Sequence, residues 1–150
     1  MPTQQAPEAL ELRLARAADA EALARLSAQL GYPNQAAAVA ERLAAIHEFG
    51  LGEVFAAVLD GGVVGWLHVA LHPTLEHPLA AEILGLVIDG GVRSRGIGAR
   101  LVAAAEDWAR AHGCAELVVR SNVLRERAHA FYDARGFLRW KRQQVFRKSL

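Results

Sequence analysis

The most informative residues for chemistry form a glycine turn between an apolar run and a helical pattern. Ile83–Ile88 is followed by Arg93, Gly96 and Gly98, and apolar residues recur at helical spacing directly afterwards. Glycine permits left-handed backbone angles and has no side chain that would block a ligand. The first amides of a helix have no intrahelical acceptor, and the helix dipole adds partial positive charge there. The segment therefore predicts a phosphate-binding turn, with Arg93 and Arg95 as cations beside it.

Two common nucleotide-binding motifs do not fit this turn. A P-loop requires Gly-Lys followed by Ser or Thr, and the sequence contains no such run. A dinucleotide-binding fingerprint requires a third glycine three residues after Gly98, where the chain has Leu101. The alternative left open by the residues alone is a glycine turn that only connects a strand to a helix.

A second candidate segment is an aromatic pair in a short helix predicted over Arg125–Arg135. Phe131 and Tyr132 are adjacent, and Gly136 ends the pattern. A phenol with a pKa near ~10 can donate a proton to a thiolate whose conjugate acid has a pKa near ~8.5. The alternative is that both rings are core aromatics on an amphipathic helix.

The remaining sequence predicts the elements that position these segments. Apolar runs bounded by turn residues predict strands at Leu10–Leu14, Val54–Leu59, Val63–Leu71, Ile83–Ile88, Leu117–Val119, Phe137–Trp140 and Gln144–Arg147. Three further helices follow from apolar residues at helical spacing: Leu23 to Leu30 capped by Asp19, Val39 to Ile46 capped by Asn34, and Leu101 to Trp108. The order predicts a mixed α/β (α+β) fold, with a largely antiparallel sheet of about seven strands flanked by four helices.

Composition limits the class of protein. The 150 residues suit a single domain over 1–150, and 53% hydrophobic with 22% charged residues is ordinary for a globular chain. A net charge of +1 argues against a nucleic-acid or membrane-surface partner. The single cysteine, Cys114, and the lack of a secretory or membrane-spanning pattern predict a cytoplasmic protein.

Both motifs together resemble the GNAT superfamily of acetyl-CoA-dependent N-acetyltransferases. The matching runs are Arg93-x-x-Gly96-x-Gly98 and Ala128-x-x-Phe131-Tyr132-x-x-x-Gly136-Phe137, and the resemblance extends over nearly the whole chain. It implies transfer of the acetyl group to a primary amine by direct attack in a ternary complex, without a metal. The implied coenzyme-binding residues are Leu86, Val87 and Ile88 for the pantetheine arm, Arg93, Ser94, Arg95, Gly96, Ile97, Gly98 and Ala99 for the pyrophosphate, and Asn122.

The resemblance also implies the catalytic residues. Tyr132 corresponds to the general acid that protonates the coenzyme A thiolate, and Glu82, eleven residues before Arg93, is the candidate general base. The alternative for Glu82 is an exposed glutamate at a strand end. Asn122 lies ten residues before Tyr132, whereas many members of the superfamily have an asparagine about seven before it, so the alternative for Asn122 is a helix cap.

Several functional questions stay open at this point. The rival functions are a non-catalytic acyl-CoA-binding regulatory module, transfer of a longer acyl group, and nucleic-acid binding through the Arg93–Arg100 and Arg139–Arg147 clusters. His68, His72 and His77 lack the converging spacing of a zinc site. The acceptor is a small-molecule or peptide amine, and the sequence of the loops does not identify it. A homodimer is an alternative to a monomer, because dimers are common in the superfamily.

Overall fold

The computed structural model describes residues 9–93 and 95–150. The chain divides into two compact units, one ending at Val119 and the other comprising Arg120–Leu150, and each is described by itself. The first unit contains β1 Leu10–Leu14, α1 Ala20–Gln29, α2 Ala36–Glu48, β2 Gly52–Leu59, β3 Gly62–His72, β4 Ala80–Ile88, α3 Ile97–Ala111 and β5 Glu116–Val119. The second contains α4 Glu126–Ala134.

The first unit is built on one five-stranded sheet in the order β1-β2-β3-β4-β5. The first three contacts are antiparallel, whereas β4 and β5 are parallel and are joined through α3, as parallel neighbours require a long crossover. This mixed, mostly antiparallel sheet confirms the predicted α/β class.

The helices cover the sheet with the apolar stripes that the sequence indicated. Leu23 and Leu26 of α1 and Leu43 of α2 are buried against β2 and β3, and Trp66 packs on the same cluster. The neighbour of Trp66 in β3, Gly65, faces α3, where a Cβ added to it would lie 3.6 Å from Leu101. Since successive strand residues point to opposite faces, α1 and α2 cover one face of the sheet and α3 covers the other.

The predicted count of seven strands is wrong, because the described residues form five. Phe137–Trp140 and Gln144–Arg147, predicted to pair as the last two strands, contain no strand. Their connection, Lys141-Arg142-Gln143, lacks the glycine or asparagine that tight hairpins prefer. Side chains in this segment, such as Leu138 at 91% exposure and Phe146 at 88%, bury no apolar face, and an isolated hairpin without one is marginal at best.

The side chains of two predicted helix caps bond elsewhere. Asp19 is the N-cap residue of α1, as predicted, but its carboxylate accepts the Arg16 backbone N–H at 2.9 Å and two hydrogen bonds from Arg13, and none from the helix. Asn34 precedes the actual N-cap of α2, Gln35, and its side chain bonds Tyr32 and Arg42. The Asp19 carboxylate bonds the Arg13 guanidinium in place of the helix amides, because hydrogen bonds between charged groups are stronger.

None of the described helices is long and apolar enough to cross a membrane.

Candidate active site

The glycine turn starts α3 in the way that an anion site requires. Gly96 has φ 76°, in the left-handed region, and is the N-cap of the helix. Arg100 donates the helix's first described hydrogen bond, to the Gly96 carbonyl at 3.2 Å. The N–H groups of Ile97, Gly98 and Ala99 therefore precede the helical ladder and are open to an anion.

The flanking residues give this turn its charge and its anchor. Arg93 and Arg95 are exposed beside it, and Ser94 lies outside the described residues. The Ile97 side chain is 3% exposed, so the first residue of α3 is fixed in the core while its backbone amide belongs to the turn.

An aspartate that sequence reasoning missed ties the turn to α1. The Asp89 carboxylate accepts the Gly91 N–H at 3.2 Å and is 3.5 Å from donors on Arg25 and Gln29. Gln29 in turn accepts the Gly90 N–H at 3.1 Å. The Gly91 amide, followed by Gln29 and Arg25, lowers the pKa of Asp89 despite partial desolvation. An aspartate between a buried strand and a Gly-Gly pair is the sequence signal that could have indicated this anchor.

The strand that leads to the turn is paired on both sides only over its first half. β5 pairs with Ala80–Ile83, and the remaining residues of β4 have a strand neighbour only in β3. Within the described residues, the β5 side of Leu84–Ile88 is thus an open strand edge. Unpaired backbone groups at such an edge are available to an extended ligand that carries amides of its own.

The alternation of backbone groups identifies which residues face this opening. The Asp89 N–H donates to the Val64 carbonyl in the β3 direction at 2.8 Å. Because amides alternate along a strand, Val87 also faces β3, whereas the N–H and C=O groups of Leu86 and Ile88 face the open side. Of the three residues expected to contact the pantetheine arm, two therefore present their backbone groups to this open edge.

Glu82 is not an exposed strand-end residue, so that alternative is wrong. It is the third residue of β4, between Ala70 of β3 and Val118 of β5, and is only 5% exposed. Its Oε2 lies 3.4 Å from Nδ1 of His72, the last residue of β3. A buried carboxylate in contact with an imidazole has the chemistry of a proton acceptor.

Two more polar side chains share the Glu82 face of the sheet. Trp66 Nε1 and His68 Nε2 are buried and have no hydrogen-bond partner among the described residues. Burial lowers the pKa of His68, which favours the neutral imidazole. Trp66 packs on the core cluster, and sequence reasoning gave no role to the unpartnered atoms. No cluster of three or more His, Cys, Asp or Glu suited to a metal occurs in the part of the chain described.

In the second unit, the Phe-Tyr-x-x-x-Gly-Phe run forms the C-terminal cap of α4. Gly136 has φ 89° and donates to Asp133, and the Phe137 N–H donates to the Tyr132 carbonyl at 3.1 Å. This pair of bonds is a Schellman motif. It brings the Phe137 ring to 5.5 Å from the Tyr132 ring, while Phe131 lies at 5.3 Å. Burial raises the pKa of Tyr132, opposed by the positive charge of Arg125, so the phenol is held protonated.

Asn122 lies ahead of α4 and does not cap it. The N-cap is Arg125, while Asn122 Oδ1 accepts the Leu124 N–H at 3.0 Å in a local turn. Its carbonyl accepts the Arg125 N–H at 2.9 Å and lies 2.9 Å from Nε2 of His129. The cap interpretation is wrong, and the asparagine instead shapes the approach to the helix.

Comparison with known proteins identifies the family. Residues 21–137 match the model of the Acetyltransferase (GNAT) family. An aminoglycoside N(6')-acetyltransferase type 1 of Stenotrophomonas maltophilia is 33% identical over 144 residues, 93% of each chain. One of Klebsiella aerogenes is 31% identical over 120 residues, 73% of this chain and 79% of the relative.

Solved structures confirm the fold. An aminoglycoside N-acetyltransferase in complex with CoA superposes with a TM-score of 0.86 at 20% identity, covering 97% of this chain and 100% of that one. The same enzyme with the bisubstrate analogue CoA-S-monomethyl-acetylneamine gives 0.81 at 21% identity, covering 95% and 99%.

The residues present fit an acyl-CoA. The amides of Ile97, Gly98 and Ala99 suit a pyrophosphate, and the open edge at Leu86 and Ile88 suits an extended arm with amides. Both features lie within residues 21–137, the part of the chain that matches the family model. The chain belongs to the GNAT family, and it is an acetyl-CoA-dependent N-acetyltransferase.

Proposed function

We propose that this enzyme acetylates a primary amine of a small molecule, and that aminoglycosides with a free 6'-amino group belong to its acceptors. The aminoglycoside acetyltransferases of Stenotrophomonas and Klebsiella support the acceptor class, because the similarity to the first extends over 93% of both chains. The main structural support is Glu82, a buried carboxylate on β4. The second half of the same strand has the open edge assigned to the coenzyme, so a proton acceptor and the acetyl donor would share one strand.

Acetyl-CoA binding is assigned to the first helix turn and the strand before it. Arg93, Ser94, Arg95 and Gly96 to Ala99 hold the pyrophosphate, mainly through open amides. Leu86 and Ile88 bond the pantetheine arm through their backbone, with Val87 between them. Asn122 contributes through its Nδ2 group, since its Oδ1 is engaged by Leu124.

The chemistry requires two proton transfers in opposite directions. A lysine-like amine with a pKa near ~10.4 is charged at neutral pH and must lose a proton before it attacks the acetyl carbonyl. We assign that proton to the Glu82 carboxylate. The departing thiolate takes its proton from Tyr132, whose pKa burial raises. Direct attack in a ternary complex needs no acyl-cysteine, and Cys114, whose thiol pKa is raised by burial, is a poor nucleophile.

The family match crosses the boundary between the two units, which supports a single acetyltransferase domain over residues 1–150. The net charge of +1 and the single cysteine support a cytoplasmic location without nucleic-acid or membrane partners, and dimers are common in the superfamily.

The test begins with calorimetric titration of acetyl-CoA into the wild type and an Arg93→Ala/Gly96→Ala double variant. The matched control is Arg110→Ala/Gly113→Ala, which removes an arginine and a left-handed glycine (φ 74°) from the opposite end of α3. We expect binding to weaken at least tenfold in the first variant and to be retained in the control. Equal binding in all three proteins would contradict the assigned coenzyme site.

Acetyl transfer is then followed as thiol release with neamine as acceptor, in the wild type and in Glu82→Gln. We expect a loss of about 100-fold or more in kcat in Glu82→Gln, within the usual range for a general base. Coenzyme binding without transfer to neamine or to an amine library would instead favour a non-catalytic acyl-CoA-binding module.

A further inference from the structure

Glu82 lies too deep to exchange protons with bulk water directly. Its side chain is 7% exposed, whereas the side chain of His72, in contact with its Oε2 through Nδ1 at 3.4 Å, is 39% exposed. His72 is the last residue of β3 and pairs with Ala80, two residues before Glu82 in β4. The imidazole thus spans the distance from a buried carboxylate to the surface of the unit.

An imidazole is suited to this position because it has two nitrogens. One can receive a proton while the other releases one. A carboxylate that has accepted a proton from substrate must lose it before the next turnover. A neighbouring group that passes protons to water makes this reset possible without opening the site.

The other ionisable groups on this face do not offer the same route. His68, on the same face of β3, is held neutral because burial lowers its pKa, and its Nε2 is buried. Glu116 of β5 shares a row with Ala80 and His72 but is separated from His72 by the β4 strand. His72 contacts the carboxylate through Nδ1 and is itself partly exposed to solvent.

We propose that His72 relays to solvent the proton that Glu82 takes from the acceptor amine. The inference rests on the proposed function. The ammonium gives one proton to Glu82, and its nitrogen then bonds to the acetyl carbonyl carbon as the bond from that carbon to sulfur breaks. The nitrogen loses its second proton to solvent as the amide forms, while Tyr132 gives its proton to the thiolate and the phenolate takes one back from solvent. Glu82 passes its proton to Nδ1 of His72, and Nε2 releases one to water, so each turnover yields amide, free thiol and one solvent proton.

The experiment compares His72→Ala and His72→Asn with the wild type, using neamine and acetyl-CoA. Asparagine keeps a polar group beside the Glu82 carboxylate but cannot relay a proton, so it separates relay from orientation. His112→Ala is the matched control, because His112 is an exposed histidine at the end of α3 that bonds only locally to Trp108. We expect kcat to fall by about 10- to 100-fold in both His72 variants, with the KM for acetyl-CoA unchanged, and to stay constant in His112→Ala.

Chemical rescue distinguishes a proton relay from a purely structural role of His72, because only a relay depends on the basicity of the added ring. Imidazole in the buffer should restore much of kcat to His72→Ala, whereas pyrazole, with the same ring size but far lower basicity, should not. Equal rescue by both rings, or full activity of His72→Asn, would overturn the relay and leave His72 as an orienting group. A wild type that binds acetyl-CoA but transfers nothing to amines would refute the proposed function itself, and the relay with it.

Discussion

The indole ring of Trp66 occupies the space that a side chain at Gly85 would require. A Cβ built on Gly85 would lie 2.7 Å from two ring carbons of Trp66, closer than real Cβ atoms approach. Gly85 pairs with His68 of β3 and lies in the half of β4 that has no partner on the β5 side. The close approach therefore fixes the indole ring beside the open edge. The glycine is thus required by packing, with no demand from backbone angles.

Replacing Gly85 by alanine should therefore displace the indole. We expect a loss of about 1–3 kcal/mol in the free energy of unfolding, as is usual for overpacking, and a shift in tryptophan fluorescence. Urea unfolding measures the first effect. The control is Gly62→Ala in the same sheet, where the nearest atom to the new Cβ would be 3.6 Å away. An unchanged stability for Gly85→Ala would show that the ring relaxes freely.

The Asp89 anchor should affect coenzyme binding more than catalysis. Asp89→Ala removes the acceptor of the Gly91 N–H and the contacts to Arg25 and Gln29, which loosens the turn before Arg93. We expect the Kd for acetyl-CoA to rise about 5- to 30-fold, equivalent to one or two hydrogen bonds of ~1 kcal/mol, with a smaller change in kcat. Asp107→Ala, which removes an exposed carboxylate on α3, is the control. A larger effect on kcat than on Kd would place Asp89 in the chemistry instead.

The parts of this site that could be predicted depend on residues close together in sequence. The left-handed angles at Gly96 and Gly136 follow from glycine at a helix end, and the arginines and aromatics are positioned by the same short motifs. The helix of Tyr132, predicted over Arg125–Arg135, forms over Glu126–Ala134. Such local signals do not depend on how distant segments pair.

The missed contacts depend on register and on distant pairing. Glu82 meets His72 only because β3 and β4 pair with a bulge, in which His68 is opposite Gly85 but Val69 is opposite Ile83. A proline-containing loop between the strands does not determine that register. Arg25 and Asp89 are 64 residues apart, and no periodicity reports such a contact. The last two predicted strands do not form although their residues have a strand pattern, because apolar side chains such as Leu138 and Phe146 stay exposed.

The Arg13–Asp19 pair should make the first unit sensitive to acid. Asp19 is 7% exposed and accepts hydrogen bonds of 2.7 and 2.9 Å from Arg13, which lower its pKa although burial opposes them. A carboxyl whose folded pKa lies below its unfolded value of ~3.9 adds stability above that value and loses it as the pH falls through the folded pKa.

We therefore expect Asp19→Asn to cost about 2 kcal/mol in the free energy of unfolding at pH 7, typical of a buried hydrogen bond to a charged group. The difference from wild type should shrink as the pH falls below about 4, measured by urea unfolding at several pH values. Asp133→Asn is the matched control, because Asp133 makes similar bonds to Arg139 on the exposed surface, where ion pairs add little. A cost for Asp19→Asn that persists unchanged at low pH would rule out the charged pair as its cause.

Tyr132 should remain a proton donor well into the alkaline range. Burial between Phe131 and Phe137 raises its pKa above the usual ~10, and the opposing charge of Arg125 does not cancel this. The difference in phenolate absorbance between wild type and Tyr132→Phe during alkaline titration isolates this one phenol. Its midpoint should lie above pH 10.

In the same variant, kcat for neamine should fall about 100-fold while acetyl-CoA still binds, because the phenylalanine keeps the ring packing and removes only the proton. Full activity of Tyr132→Phe would exclude the phenol as the acid, and a midpoint below pH 10 would mean that the charge of Arg125 outweighs burial at this ring.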